Sequence, residues 1–323
     1  MTLTIENLSK RIANKWIFRD IEFCVNTGEI FGICGSTGSG KTSILRAVAG
    51  IHKSNGGVIK LDGVEQTAKN SNKSAYKLIA KYPLPGFAGI FGGFFSKESS
   101  GQRQIAAFDR LLVSNFEVLL LDDPFTDLDP IERNKRLIDL RSAAIKRNLM
   151  VIFASSDFAQ VSAVADKMAI LVDGQFSQIG SPKEIYDHPH SIIAAKLSGE
   201  VNLFQARRLT SSDANLPEFQ TIDGGHRLFS SPDKIARLGA INQNVTLSIR
   251  PENVSMSMGA SFPEDNLVKA VVTGSRYYGA TSLIDFDAFG IKLTSRVFKV
   301  VGLNIGDECM LSLPPNSICV LKR

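Results

Sequence analysis

The sequence predicts an α/β domain built on a mostly parallel sheet, followed by a small all-β barrel or sandwich. A glycine-rich loop joins an apolar strand to a helix within residues 30–50. Strand-like apolar runs then alternate with helix-like runs as far as residue 199, a pattern typical of parallel sheets whose ligands bind at strand carboxyl ends. Beyond about Glu200, short alternating runs separated by Gly or Pro turns replace the helices. We therefore expect two domains, residues 1–199 and residues 200–323.

Composition argues against several classes of protein. A chain of 323 residues with 44% hydrophobic residues can bury a sizeable core. The formal net charge is +5, and the sequence contains no run of five like charges. Nucleic-acid binding is therefore not indicated. No apolar stretch approaches the ~20 residues that span a bilayer. Residues 1–6 lack the basic and apolar regions of a signal peptide, and we expect a cytoplasmic protein.

Cysteine usage points to the same compartment. The four cysteines lie in apolar, strand-like runs without the spacing of a metal site, so we expect buried, reduced thiols. They are Cys24, Cys34, Cys309 and Cys319.

The first strands lead into a phosphate-loop motif. Residues 2–25 alternate in places, as half-buried antiparallel strands do. An apolar strand at residues 30–34 is followed by residues 35–42, Gly-Ser-Thr-Gly-Ser-Gly-Lys-Thr, which match G-x-x-x-x-G-K-[ST]. Residues 43–50 continue with helical spacing and stop at Gly50. Strand, glycine loop and helix together indicate a site for a nucleoside triphosphate.

Each residue type in this loop suits phosphate binding. Glycines let backbone N–H groups curl around phosphate oxygens, and the helix N-terminus adds a favourable potential. We expect Lys41 to reach the β- and γ-phosphates and the Thr42 hydroxyl to coordinate Mg²⁺. A glycine-rich turn with an unrelated lysine is the alternative, against which motif and context agree. The predicted nucleotide-binding residues of this loop are Gly35, Ser36, Thr37, Gly38, Ser39, Gly40, Lys41, Thr42 and Ser43.

Residues 118–122 predict a buried strand that ends in two carboxylates. A strand that delivers Asp122 to the phosphate loop suits a Mg²⁺ ligand, held directly or through water. The adjacent Asp123 would then orient or deprotonate the attacking water. A pair of aspartates that caps a helix at the strand end is the alternative interpretation. The upstream phosphate loop favours the interpretation in which Asp122 binds Mg²⁺ and Asp123 acts on the attacking water.

The remaining elements of the first domain continue the alternation. The sequence predicts strands at residues 56–62, 149–154 and 168–172, a hairpin through Asp173 and Gly174, and helices at 130–147, 158–166 and from Pro182. The helix at residue 130 follows Asp129 as its N-cap and has Glu at N3. Residues 64–97 have no clean period and receive no assignment.

The second domain shows no catalytic constellation and indicates a binding or regulatory module. Its predicted strands cover residues 245–249, 268–273, 283–286, 291–293 and 318–321. We expect Tyr277 and Tyr278 to pack within the β domain. Arg250 and Glu252 form an ion pair at a strand end or bind an effector, and we favour the ion pair.

These motifs resemble the ATP-binding subunits of ABC-type transporters. Residues 98–112 look like the family signature LSGGQ-x-Q and the helix after it, and residues 119–129 look like the Walker B strand and D-loop. Residues 161–184 are similar to the region after the switch histidine of importer ATPases. Residues 247–254 resemble the entry to a TOBE-type β domain, which marks importers of sugars, spermidine or ferric iron.

The resemblance implies a fold and a set of partners. The fold would be an ABC-type P-loop ATPase domain, with a shortened helical subdomain at about residues 64–115, and a TOBE- or OB-like barrel. Two such subunits would face each other head to tail, as a homodimer or heterodimer, on the cytoplasmic face of the cell membrane. They would bind ATP and Mg²⁺ and act on transmembrane permease subunits, which in turn serve a solute-binding protein.

The resemblance also implies further site residues. Each ATP would lie between one phosphate loop and the signature of the opposite subunit, where Ser99, Gly101 and Gln102 would contact the nucleotide. Ile12 occupies the usual position of the aromatic side chain that stacks on adenine.

The sequence departs from the family pattern at several functional positions. Asp123 stands where the family has its catalytic glutamate, and Ser156 stands at the switch histidine. Glu98 and Ser100 replace the leucine and the first glycine of the signature. No glutamine occurs at residues 80–84, where the Q-loop belongs, and the segment between phosphate loop and signature is several tens of residues short.

Two functions are consistent with these residues. The first is an importer ATP-binding subunit whose hydrolysis is reduced, because a positioned general base contributes ~10²–10⁴-fold. The alternative is a hydrolysis-deficient nucleotide-binding or regulatory subunit that pairs with a competent ATPase. Phosphate release by the purified chain, compared with a Lys41→Ala control, discriminates the two.

Overall fold

The computed structural model describes residues 1–66, 76–80, 100–112, 115–211, 216–236, 238–257, 266–298 and 302–321. The chain divides into two compact units, Met1–Lys183 and Glu184–Arg323. The domain boundary expected between residues 199 and 200 stays a prediction; in this division, residues 184–199 belong to the second unit. Within the described ranges, no helix combines the length and the apolar character needed to cross a bilayer.

The first unit alternates strands and helices as predicted. Its strands are β1 Thr2–Ile12, β2 Lys15–Asn26, β3 Ile30–Cys34, β4 Gly56–Leu61, β5 Val64–Glu65, β6 Tyr76–Ala80, β7 Val118–Asp122, β8 Met150–Ser155, β9 Lys167–Val172 and β10 Gln175–Gly180. Its helices are α1 Lys41–Val48, α2 Ser100–Leu112, α3 Pro130–Lys146 and α4 Phe158–Ser162. Helix α5, Pro182–Asp187, crosses the division between the units.

Two sheets form the frame of this unit. An antiparallel sheet has the order β2-β1-β4-β5, which confirms the antiparallel strands expected within residues 2–25. A six-stranded sheet has the order β10-β9-β3-β8-β7-β6 and is parallel except at β10. Its central strands β3, β7 and β8 are buried along their whole length, as apolar runs covered on both faces are.

The strand order decides which loops meet. Strand β8 lies between β3 and β7, and residues 34, 122 and 155 end these three neighbouring parallel strands. The phosphate loop after β3, the two aspartates at the end of β7 and the serines at the end of β8 therefore emerge at the same edge. Ligands of open α/β sheets bind at this carboxyl edge.

Helix α3 begins as its capping signal predicts. The Asp129 carboxylate accepts hydrogen bonds from the backbone N–H groups of Ile131 and Glu132, at 3.0 and 2.9 Å. Pro130 occupies the first helical turn, where its missing N–H is not needed.

Helix α4 ends at Ser162, so the predicted extent of 158–166 is wrong at its carboxyl end. Asp166 accepts the Ile30 N–H at 2.9 Å and two guanidinium N–H groups of Arg141 at 2.6 Å each. These contacts hold Asp166 at the entry to β9, beside β3, so the chain leaves the helix before this residue. One of these partners, Ile30, lies more than a hundred residues away in sequence.

The second unit is built almost entirely of antiparallel strands. They are β11 Asn202–Arg208, β12 Glu218–Thr221, β13 Arg227–Phe229, β14 Asn244–Ile249, β15 Ser255–Ser257, β16 Asn266–Tyr277, β17 Ser282–Ala288, β18 Ile291–Val297, β19 Glu308–Leu313 and β20 Cys319–Leu321, preceded by helix α6, Ile192–Ser198. Two five-stranded sheets, β13-β12-β11-β14-β20 and β15-β19-β16-β17-β18, share one apolar core. All five predicted strands of this half are present.

Two side-chain expectations for the second unit are wrong. Tyr277 and Tyr278 are 81% and 58% exposed, because Tyr277 is the last residue of β16 and Tyr278 begins the turn that follows it. The buried Arg250 lies over the Tyr186 ring, 4.0 Å from its centroid, and donates to backbone carbonyl groups, among them that of Ala195 at 2.9 Å. Glu252 accepts instead from the Tyr186 hydroxyl.

Candidate nucleotide-binding and catalytic site

The glycines of the phosphate loop have steric reasons to be glycine. A side chain at Gly35 would approach the Leu171 carbonyl oxygen to 2.6 Å and Ser39 Oγ to 2.7 Å. Gly38 and Gly40 have φ values of 84° and 112°, which L-residues with side chains rarely adopt. The pattern recognised in the sequence is therefore the pattern this backbone requires.

Lys41 is buried against the loop that precedes it. Its side chain is 5% exposed, and its Nζ donates to the carbonyl oxygens of Gly35 at 2.7 Å and Ser36 at 3.1 Å. An ammonium group has three N–H donors, so one donor remains for a phosphate oxygen. The positive charge is thus fixed beside the loop before any ligand arrives.

Ser39 carries the observation that best fits an anionic ligand. The residue is 6% exposed, and none of the described residues around it offers a hydrogen-bond partner to its buried Oγ. Buried polar atoms are nearly always paired. Phosphate oxygens accept hydrogen bonds, and a phosphate bound in the loop would satisfy this hydroxyl.

The rim of the loop is open. Ser36, Thr37 and Gly38 are exposed, and no described atom of another residue comes within 4 Å of the position a side chain at Gly38 would take. Ser43 is half-buried in the first turn of α1. Phosphate groups therefore have free access to the loop from this side.

Thr42 and Asp122 form the pair expected of a Mg²⁺ site. The Thr42 hydroxyl donates to Asp122 Oδ2 at 2.7 Å, although the two residues lie on α1 and β7. Burial raises the pKa of Asp122, and the nearby Asp123 charge adds to this, whereas the Thr42 hydrogen bond opposes it. A hydroxyl and a carboxylate are oxygen ligands of the kind Mg²⁺ prefers, alongside phosphate oxygens.

Asp123 is held at the mouth of the site. Its φ of 46° is left-handed, which aspartate tolerates better than most residues, and its N–H donates to the Ala154 carbonyl at 2.8 Å. Its Oδ1 accepts from Ser155 Oγ at 2.7 Å and from the Ser156 N–H at 3.2 Å. Both predicted catalytic residues, Asp123 and Ser156, are thus adjacent, but Ser156 contributes its backbone.

Ser155 is the site residue that sequence reasoning missed. Its hydroxyl makes the shortest contact to the Asp123 carboxylate, and the residue is buried. The only signal was a hydroxyl side chain at the end of a predicted strand. That β8 neighbours β7 is a property of the sheet order, which hydrophobic periodicity does not specify.

The signature segment begins helix α2. Ser99 lies outside the described residues, as do residues 81–84 of the expected Q-loop position. A side chain at Gly101 would come within 3.0 Å of the Asp127 carbonyl oxygen, so the helix start packs closely on the loop after β7. Gln104 strengthens this contact with two 3.3 Å hydrogen bonds to Asp127. Gln102, one residue after Gly101, is exposed.

Ile12 ends strand β1 and is 56% exposed. It pairs with Lys15 across the β1–β2 hairpin. The neighbouring Arg11 guanidinium lies 5.6 Å from the centroid of the Trp16 ring. An aliphatic side chain here can contact a base by packing but lacks the π-face of an aromatic residue.

Cys34, directly before the loop, is predicted to be chemically inert. Burial raises the pKa of its thiol to about 12, even though the Lys41 charge opposes this, and thiolate is the reactive form. Burial likewise raises the pKa of Cys319 to about 11. The expectation that all four thiols are buried is wrong for Cys24, which is exposed because it faces outward on the alternating strand β2.

Iodoacetamide at pH 8 should therefore label the exposed Cys24 of the native protein rapidly. The three buried thiols, Cys34, Cys309 and Cys319, should stay protected. Mass spectrometry of labelled peptides measures the site, with Cys24→Ser as the control that should label slowly throughout. Rapid labelling of Cys34 in the native protein would contradict the buried environment of the loop.

Comparison with known proteins agrees with this arrangement. A family model described as ABC transporter matches residues 18–83. A solved structure of an ATP binding subunit of an ABC transporter has a TM-score of 0.50 at 17% identity, and covers 57% of this chain and 92% of that one. A bacterial Atm1-family ABC exporter with ATP bound has a TM-score of 0.53 at 19% identity, covering 61% and 41%. The first unit is an ABC-type P-loop ATPase fold.

Curated relatives show which group of ABC-type ATPases this chain resembles. The spermidine/putrescine import ATP-binding protein of Protochlamydia amoebophila is 30% identical over 337 residues, covering 92% of this chain and 87% of that protein. The Fe(3+) ions import ATP-binding protein of Photobacterium profundum is 24% identical, covering 99% and 97%. The maltose/maltodextrin import ATP-binding protein of Mannheimia succiniciproducens is 26% identical, covering 99% and 95%. This chain belongs to the ATP-binding subunits of ABC importers.

Proposed function

We propose that this protein binds MgATP at the loop 35–42 and hydrolyses it within a dimer to drive solute uptake through membrane subunits. The observation that carries the proposal is the Thr42–Asp122 contact of 2.7 Å beside the buried Lys41. This contact brings the Lys41 ammonium group, the two candidate Mg²⁺ ligands and the phosphate loop together at one sheet edge, as nucleotide hydrolysis requires.

Each residue of the edge has a role in this proposal. The loop N–H groups and Lys41 bind phosphate oxygens, and Thr42 with Asp122 holds Mg²⁺. Bound Mg²⁺ supplies positive charge that offsets the charge of the phosphate oxygens. Asp123 orients the attacking water and accepts its proton, and Ser156 fixes that carboxylate through its backbone N–H.

A second ATP-binding subunit completes the site in this proposal. Ser99, Gly101 and Gln102 of the opposite subunit would contact the nucleotide, following the family arrangement. Gly101 packs on the Asp127 backbone of its own chain, which connects the signature of each subunit to the loop after its own β7. Closure on ATP and opening after hydrolysis would act on the permease subunits.

The second unit is proposed to be a TOBE-like regulatory domain. Its two antiparallel sheets around one core support this assignment. The relatives import spermidine, ferric iron and maltose, so similar ATP-binding chains serve unlike solutes. The choice of solute is therefore proposed to lie in the permease and solute-binding partners, with this chain at the cytoplasmic face of the membrane.

Titration with MgATP and a phosphate-release assay test the proposal. We expect heat of binding and release above that of Lys41→Ala. Binding without release would instead favour a hydrolysis-deficient regulatory subunit. Absence of binding would contradict the proposal as a whole.

Restoring the family residues should raise turnover. In Asp123→Glu with Ser156→His, the carboxylate reaches one methylene farther and imidazole can carry charge and protons that a serine cannot. We expect phosphate release to rise about tenfold or more, since a positioned base contributes ~10²–10⁴-fold. The same pair of changes in Lys41→Ala should stay inactive. An unchanged rate would show that the short carboxylate does not limit hydrolysis.

A further inference from the structure

We propose that Ser155 is a positioning residue for hydrolysis, which holds the shortened carboxylate of Asp123 in the orientation that the reaction needs. This inference rests on the proposed function and assigns the task to a residue outside the expected set, in which Ser156 stood at the switch position. It follows from the contacts around a single oxygen atom, Asp123 Oδ1.

Two donors converge on that oxygen. Ser155 Oγ donates to it at 2.7 Å, and the Ser156 N–H donates at 3.2 Å. A carboxylate oxygen has two lone pairs, so Oδ1 is fully occupied and the carboxyl group cannot rotate without breaking both bonds. Because both of these bonds fall on Oδ1, neither donor occupies Oδ2, which is the oxygen we assign to the attacking water.

The Ser155 hydroxyl is itself oriented. The Asp157 N–H donates to Ser155 Oγ at 3.1 Å, which uses an acceptor site of the hydroxyl and leaves its proton for Asp123. Asp157 is fixed as the N-cap of α4, where it accepts from the Ala159 N–H at 2.9 Å. Ser155 is buried at the end of β8. The chain from helix cap to serine to carboxylate is thus rigid.

The position of the short Asp123 side chain explains why the Ser155 hydroxyl can reach its carboxylate. Asp123 lies in a left-handed backbone conformation, tied to Ala154 on β8, so its carboxylate stays close to that strand end. A hydroxyl on the strand reaches it directly. The side chain of Ser156 is exposed, and that residue donates to Asp123 through its backbone N–H. Ser155 is therefore the residue whose side chain holds the Asp123 carboxylate.

The experiment compares three variants of the full chain. Ser155→Ala removes the donor, and Ser155→Thr keeps a hydroxyl in a residue that strands accept. Ser9→Ala is the matched control, because Ser9 is also buried in the first unit and its hydroxyl also makes two hydrogen bonds, to Asn7 and Asp20. Phosphate release gives kcat and KM, calorimetry gives MgATP affinity, and urea unfolding gives stability.

We expect Ser155→Ala to lower kcat about tenfold or more, the usual effect of losing a hydrogen bond to a charged group. MgATP affinity should stay within about threefold, because the phosphate loop is untouched. KM should change little while kcat falls, because the lost hydrogen bond acts on the orientation of Asp123 and not on the phosphate loop. Ser155→Thr should restore kcat, and Ser9→Ala should leave both kcat and KM unchanged.

Three outcomes would overturn the inference. A kcat of Ser155→Ala within twofold of the wild type is one. A lower kcat that threonine does not rescue is another, because that result indicates a structural role only. Wild-type protein that binds MgATP but releases no phosphate contradicts the proposed hydrolysis itself and leaves Ser155 no reaction to assist.

Discussion

Lys41→Ala is expected to weaken MgATP binding about 100-fold or more and to reduce phosphate release to background. The ammonium is fixed by the Gly35 and Ser36 carbonyls at 2.7 and 3.1 Å, so its charge is already in place before the nucleotide binds. The remaining donor makes one charge-assisted hydrogen bond to a phosphate oxygen, worth about 1.5–3 kcal/mol, and the upper end of this range corresponds to the factor. Isothermal titration calorimetry measures the affinity, and a coupled assay measures the release.

Lys146→Ala is the matched control for this prediction. Lys146 is exposed at the end of α3, so its removal deletes the same charge without touching the loop. We expect wild-type affinity and turnover. Circular dichroism should show both variants folded, because Lys41 contributes only two hydrogen bonds to its own loop. Affinity of Lys41→Ala within about threefold of wild type would contradict the assignment of the phosphate site.

Local signals explain what the sequence could predict. The glycine spacing of residues 35–42 specifies a loop whose φ values and close contacts demand glycine. The start of α3 was predicted for the same reason, because a cap and the N–H groups it satisfies lie within three residues. Strands β3, β7 and β8 were predicted from continuous apolar runs. Each of these features depends on neighbours in the chain.

Features that depend on distant partners could not be predicted. Helix α4 stops early because Asp166 binds Ile30 and Arg141, neither of which is close in sequence. The contact between Asp123 and Ser155 exists because β7 and β8 are neighbours in the sheet. The sequence placed Asp122 and Asp123 at the end of one strand. It could not predict that the Ser155 side chain contacts Asp123, because that contact depends on the order of strands in the sheet.

Asp123→Asn should strongly reduce hydrolysis and preserve binding, and this separation is the sharpest test of the proposed chemistry. Asparagine has the same shape, and its amide oxygen can accept from the Ser155 hydroxyl and the Ser156 N–H as Oδ1 does now. It also tolerates the left-handed backbone at this position. What it lacks is the ability to take a proton from water. We expect kcat to fall about 10²–10⁴-fold.

Asp173→Asn is the matched control, since Asp173 is exposed in the β9–β10 turn and has the same φ of 46°. That change removes one negative charge from the same unit at an equally strained residue, and it should leave kcat and affinity unaltered. Calorimetry should give Asp123→Asn a MgATP affinity within about threefold of wild type, because Lys41, Thr42 and Asp122 are intact. If Asp123→Asn turned over within threefold of wild type, the proton would have to go elsewhere, and both the role of Asp123 and the holding role of Ser155 would be wrong.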